Sequence, residues 1–198
     1  MKMGTKSVLF GVHCFLIHPL ILAFAWWKLF GFPFDPRLWI AFFVHDLGYL
    51  GKPNMDGPEG ERHPYFGAWI MSIFGDEWYW FTLLHSRYLA KQLGKSPSRL
   101  AIADKLVIAI EPSWLYLPRA KWSGEIEDYF EQAKKCDPEK GGDFKLLETK
   151  AALSDIKNGG TLRDAKLWHS GVRRYMQIWV DAHRNGEADT MTNANRGN

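Results

Sequence analysis

Long apolar segments that rarely alternate with polar residues, each closed by glycine or proline, constrain this chain more than any other feature. A half-buried strand needs apolar residues at every second position, whereas a helix needs them at every third or fourth. Residues 7–27 are almost continuously apolar, and further such stretches follow Gly31-Phe32-Pro33, Gly75 and Ser96-Pro97. The pattern predicts an all-α fold, a single helical bundle with additional C-terminal helices.

Helix boundaries follow from the punctuation. The first helix is expected over 7–30, kinked or restarted near Pro19, because proline cannot donate the interior hydrogen bond. Asp35-Pro36 reads as an N-cap followed by the first helical residue, launching a helix over 37–47. Residues 48–62 hold four glycines and two prolines and read as a loop. Helices over 63–74, 78–93 and 98–110 come next, with 112–121 irregular. Amphipathic helices over 123–135 and 144–157 follow. Thr161 with Asp164 resembles a capping box at the start of a last helix, which runs to His183 and is stopped by Gly186. The polar tail 186–198 is expected to be disordered.

A chain of 198 residues fits one domain, here 1–185, with a core large enough for independent stability. The net charge of +3 from 25 basic and 22 acidic residues contains no Lys/Arg block, so stable nucleic-acid binding is not expected. Cys14 and Cys136 form no CxxC pair, which suits a reducing compartment and, with no small-residue cleavage site, leads to a cytoplasmic expectation. His13, His18 and Pro19 argue against a membrane-spanning 7–27 segment. Ten Trp and thirteen Phe leave room for peripheral membrane contact by the aromatic N-terminal part.

Chemistry concentrates at His45-Asp46, which emerges from Phe42-Phe43-Val44 just before Gly48. Imidazole nitrogen and carboxylate oxygen together suit first-row divalent metals. His18 lies 27 positions upstream (45 − 18), and His63, His85 and Asp104 follow in order. His13 competes with His18 for the first place, and His18 is preferred. Five residues turn a helix by about 140° beyond a full turn, so both cannot readily face one ion.

This order resembles the HD superfamily of metal-dependent phosphohydrolases, named for its His-Asp pair, over residues 10–110. His63-Pro64 with Gly67-Ala68, and Ala101-Ile102-Ala103-Asp104-Lys105, share its local texture. The resemblance implies an HD-type domain of the dinuclear kind, with a motif core at 10–110 and a helical extension at 120–185. It also implies one or two divalent ions (Mn, Fe, Co, Ni or Zn). One ion would be held by His18, His45, Asp46 and Asp104, and the second by Asp46, His63 and His85. The implied activity is hydrolysis of a small, nucleotide-like phosphate ester or anhydride by a metal-activated water. Family members commonly carry Lys three positions after the Asp; here Tyr49 stands there and Lys52 comes three later.

Asp46, Lys52 and Glu61 are therefore the catalytic candidates, and Lys52, Arg87 and Lys105 the candidates for holding an anionic substrate. Tyr49, Tyr65 and Trp69 are candidates to stack on a base. The same ligand set also suits an HD-fold di-iron oxygenase, and a catalytically silent protein that binds a membrane or a partner is the remaining alternative. The residues name neither the substrate nor the oligomeric state.

Overall fold

The structure, a computed structural model, describes residues 1–55, 57–129 and 162–184, and every regular element among them is helical. Two helices, α1 (Met3–Phe10) and α2 (His18–Phe30), occupy the span expected over 7–30, and the second restarts near Pro19, one of the two forms the sequence allows. The chain leaves α1 at Gly11 in extended conformation, φ −88° and ψ −154°. Pro19 falls in the first turn of α2, where its missing N–H has no intrahelical partner to lose.

Helix α3 (Pro36–Val44) begins as the sequence indicates, with the Asp35 carboxylate accepting the Arg37 backbone N–H at 2.9 Å. It ends short of residue 47, and a 3₁₀ turn, Leu47–Tyr49, continues the path. The expected loop over 48–62 contains a second such turn, Gly60–Arg62. Helix α4 (Pro64–Met71) runs on into a third, Ser72–Phe74. The single helix expected over 78–93 is two, α5 (Asp76–Leu83) and α6 (Arg87–Gln92), because Ser86 caps the second by accepting the Leu89 N–H at 3.2 Å.

Helix α7 (Arg99–Ile110) matches its expected span. The irregular stretch expected over 112–121 is instead a helix, α8 (Ser113–Ser123), with Pro118 inside it. The carbonyl that Pro118 leaves without an N–H is that of Trp114, whose own side chain is exposed. Residues 125–129 are helical and open the helix expected over 123–135. The last helix, α9 (Leu162–His183), ends where expected. The capping side chains of Thr161 and Asp164, Cys136, the helix expected over 144–157 and the tail 186–198 lie outside the described residues.

Helix α7 buries residues on every side, Asp104 among them, and lies at the centre, packed on α2 and α9. Around it one buried cluster runs from Val12 to Val180 and includes Leu22, Phe42, Met71 and Leu100, all fully buried. Each such side chain contributes about 1.5–3 kcal/mol by leaving water. Helix α4 packs on α5 and on the end of α3, and α1 packs on α8. The α3–α4 approach requires Gly67, since a Cβ there would lie 2.6 Å from the Val44 carbonyl and 2.9 Å from the His45 Cα. This contact brings the end of α3 against the start of α4. No helix among the described residues is long and apolar enough to cross a membrane.

Candidate metal centre

Three of the candidate histidines share one local device. His45 follows the last residue of α3, His63 closes the Gly60–Arg62 turn, and His85 lies just past α5. A helical end leaves carbonyls without N–H partners. Each ring folds back onto a carbonyl of such an end: Nδ1 of His45, His63 and His85 donates to the carbonyls of Phe42, Gly60 and Thr82 at 2.9, 2.8 and 2.6 Å, and the latter two carbonyls also accept the backbone N–H of His63 and His85. That bond fixes the tautomer, so each neutral ring turns an Nε2 lone pair inward.

All of these lone pairs converge on Asp46. Its Oδ2 lies 3.0 Å from His45 Nε2 and 3.4 Å from His18 Nε2, while its Oδ1 lies 3.4 Å from His85 Nε2 and 3.5 Å from His63 Nε2. The two oxygens of one carboxylate thus face two separate histidine pairs. The Nε2 atoms are 3.3 Å apart in the His18–His45 pair and 3.0 Å apart in the His63–His85 pair. His18, His45 and Asp46 form one compact group able to hold a metal ion, and Asp46, His63 and His85 form the other. Asp104, from the middle of α7, joins the first through His18, with its Oδ1 3.1 Å from Nε2.

These six side chains are all buried. Burial alone would push the Asp46 and Asp104 carboxyls up. Positive neighbours win, His45 and His13 around Asp46 and Lys105 with His18 around Asp104, and both carboxyls are held well below their usual range. Burial lowers His18 and, with the neighbouring His85, holds His63 well below an ordinary imidazole. Burial opposes charge on His45 as well, but the adjacent Asp46 outweighs it and raises that ring.

The donor set fits a divalent cation. Asp46 Oδ2 is buried without a hydrogen-bond donor although it is surrounded by ring nitrogens. In the neutral form that ligates a metal, with their Nδ1–H groups committed to backbone carbonyls, His45, His63 and His85 have no proton to offer it. Lone pairs facing lone pairs at about 3 Å repel unless a proton or a cation lies between them, and nitrogen with carboxylate oxygen is the donor mixture that Mn, Fe, Co, Ni and Zn accept.

His13, the rival first ligand, is not in either group. Its Nδ1 lies 2.8 Å from Ser7 Oγ and 3.3 Å from Glu125 Oε2. Burial would lower this imidazole, but Asp46 and Glu125 raise it to about 9. Glu125 is itself buried, accepting from Val12 N at 3.0 Å, Ser123 Oγ at 2.5 Å and Tyr129 Oη at 3.0 Å. The sequence reading missed this acid, because an amphipathic stretch offers nothing to separate a buried glutamate from a solvated one. Arg119 was missed as well, because it falls in the stretch 112–121 that reads as irregular. It pairs with buried Glu111 and donates to the Gly11 and Val12 carbonyls at 3.2 and 3.3 Å, closing the bend between α1 and α2.

Lys105 sits beside the candidate ligands, its Nζ 2.9 Å from Asp104 Oδ2. Burial opposes its charge, and Asp104 more than restores it, raising the ammonium while Arg87 acts in the opposite sense. Arg87 reaches back to α9, 3.3 Å from Tyr175 Oη and with its guanidinium 4.7 Å from the Trp179 ring centroid. Lys52, with Leu47, Gly48, Leu50, Arg62, Tyr65 and Phe66, lines a cavity of about 710 Å³. Glu61 lies on the turn just before His63. Tyr49 is not available as a base platform, since it is buried and stacks on His63 at 3.8 Å between centroids. Tyr65 and Trp69 are exposed.

No protein-family model matches the chain, and neither a curated protein nor a solved structure does.

Proposed function

We propose that this chain is a metal-dependent phosphohydrolase or phosphodiesterase acting on a small, nucleotide-like phosphate. The observation that carries the reading is the division of Asp46, whose two oxygens face two histidine pairs, with Asp104 behind one of them. A shared carboxylate between two nitrogen-rich groups is an arrangement suited to a pair of divalent ions. The ligand order, His, His-Asp, His, His, Asp, adds the resemblance to the HD superfamily.

In this reading His18, His45, Asp46 and Asp104 hold one ion, and Asp46, His63 and His85 the other. Bound there, the ions supply an activated water and neutralise charge on the phosphoryl group. The chain's own residues do the rest. Backbone carbonyls of Phe42, Gly60 and Thr82 keep three imidazoles in the ligating tautomer. Lys105 and Arg87 add positive charge beside the ligands for the phosphate oxygens. Lys52 and Arg62 attract a second anionic group into the cavity, where exposed Tyr65 and Phe66 offer rings to a base.

The test is a screen of nucleotides, cyclic dinucleotides and phosphate esters with each of the five metals, with Asp46→Ala as the blank. Release of phosphate or of a phosphomonoester by the wild type, lost in the variant, is the expected result. Stoichiometric oxygen consumption by iron-loaded protein, with no hydrolysis under any metal, would replace this reading with the oxygenase.

A further inference from the structure

Helix α2 presents apolar residues on both of its faces. Leu22, Ala25 and Trp26 point into the core against α7 and α3 and are buried. On the opposite side Leu20, Phe24 and Trp27 follow at the spacing of one helical stripe and are 56%, 46% and 55% exposed. A surface helix normally places charged residues on that side. The stripe continues past the end of the helix, where Trp27 meets Phe32 edge to face at 6.1 Å and Phe32 meets Phe34 at 4.8 Å. Phe34 is 86% exposed, and Leu16 extends the stripe at the other end.

Charge beside this stripe is positive on balance. Residues 16–34 contain Lys28 and no aspartate or glutamate, Arg99 lies 5.5 Å from the Phe30 ring centroid, and Asp35, the first acid past the stripe, is paired with Arg37 at 2.7 Å. Lys28 lies within the stripe, its Nζ 5.2 Å from the Phe24 ring centroid. Large aromatic and aliphatic side chains flanked by basic groups, with the adjacent Asp35 already paired, match the boundary layer of an anionic bilayer, where rings enter the headgroup region and cationic groups meet lipid phosphates. A spanning role is ruled out by length. Thirteen residues make a helix of about 20 Å, short of a hydrocarbon core of about 30 Å.

We infer that the outer face of α2 and the Phe32–Phe34 turn form an interfacial docking surface for anionic phospholipid membranes. The helix lies in the plane of the bilayer, with Leu20, Phe24 and Trp27 buried among the lipids. Its inner face stays on α7, which carries Asp104, so the bundle docks without unfolding the candidate metal centre.

The experiment is cosedimentation of the full chain with vesicles of phosphatidylcholine alone and with 30% phosphatidylglycerol, comparing wild type, Phe24→Glu/Trp27→Glu and Lys28→Glu. Thermal melting and metal content are measured on the same samples. The expected result is binding to the phosphatidylglycerol vesicles that falls at least tenfold in the double variant and weakens in Lys28→Glu, with melting and metal content unchanged. Absence of binding to either vesicle, or binding that survives the double substitution, would overturn the inference. So would a dimer in sedimentation equilibrium that the double variant dissociates without any vesicle binding. A clear drop in melting temperature of the double variant would show that the protein itself covers this face, and would overturn it as well.

Discussion

Replacing Asp46 with Asn tests the shared carboxylate directly. The side chain keeps its size, but it loses its charge, and one of its two oxygens becomes an NH₂ that cannot ligate. Because Oδ2 serves His18 and His45 while Oδ1 serves His63 and His85, the substitution damages both groups at once. His63→Ala removes a nitrogen from only one. Metal content per chain should therefore fall from two ions to nearly none in Asp46→Asn and to about one in His63→Ala. Stability follows by linkage, since an ion at a hundredfold its dissociation constant stabilises the fold by about 2.7 kcal/mol. For a chain of this size that is a rise in Tm of roughly 5–11 °C. Melting with and without Mn or Zn, alongside elemental analysis of dialysed protein, reads both quantities. A wild-type metal count and a wild-type metal-dependent Tm rise in Asp46→Asn would refute the bridging geometry. Equal losses in the two variants would refute the division into two groups.

Other outcomes follow from single residues. Arg119→Met leaves Glu111 buried beside no cation and frees the Gly11 and Val12 carbonyls, so the urea midpoint should fall by the equivalent of about 3–5 kcal/mol. Gly67→Ala places a methyl group against Val44 and His45, which should cost about 1–3 kcal/mol of stability and weaken metal affinity about tenfold, read by competition with a chelating dye. His169 is held down to about 4 by burial and by Arg173, against 6.5 for a free imidazole. The folded chain therefore binds fewer protons than the unfolded one between these values, and stability is lost as pH falls from 6.5 to 4. The contribution is about 3 kcal/mol, so urea unfolding of His169→Phe should show a correspondingly flatter pH dependence over that window.

The helical class was legible because the apolar runs lack alternation, and the start of α3 because Asp35 and Pro36 are local signals that act within three residues. The breaks were harder. The split between α5 and α6 depends on Ser86 choosing to cap Leu89 N, and a serine inside a periodic segment carries no mark of that choice. The stretch 112–121 reads as irregular, yet tertiary packing retains a helix there, with Pro118 inside it. The order of the candidate ligands stood in the sequence, and the two groups around Asp46 include His18 and not His13. What no spacing rule reveals is the role His13 takes instead, since Ser7 and Glu125, the second of them 112 positions away (125 − 13), become its partners only through packing. Tyr49 misled for a related reason: an aromatic residue in a loop looks available until the fold lays it on His63.

The folding back of His45, His63 and His85 onto their own helix ends sets how an ion would leave. Each ring is oriented by a bond spanning three residues, so opening a single terminal turn is enough to swing one ligand away while the core stays packed. Helix ends open with far less free energy than the whole domain. Ion exchange should therefore keep pace with local opening of α3, α5 or the Gly60–Arg62 turn, and run many orders of magnitude faster than global unfolding.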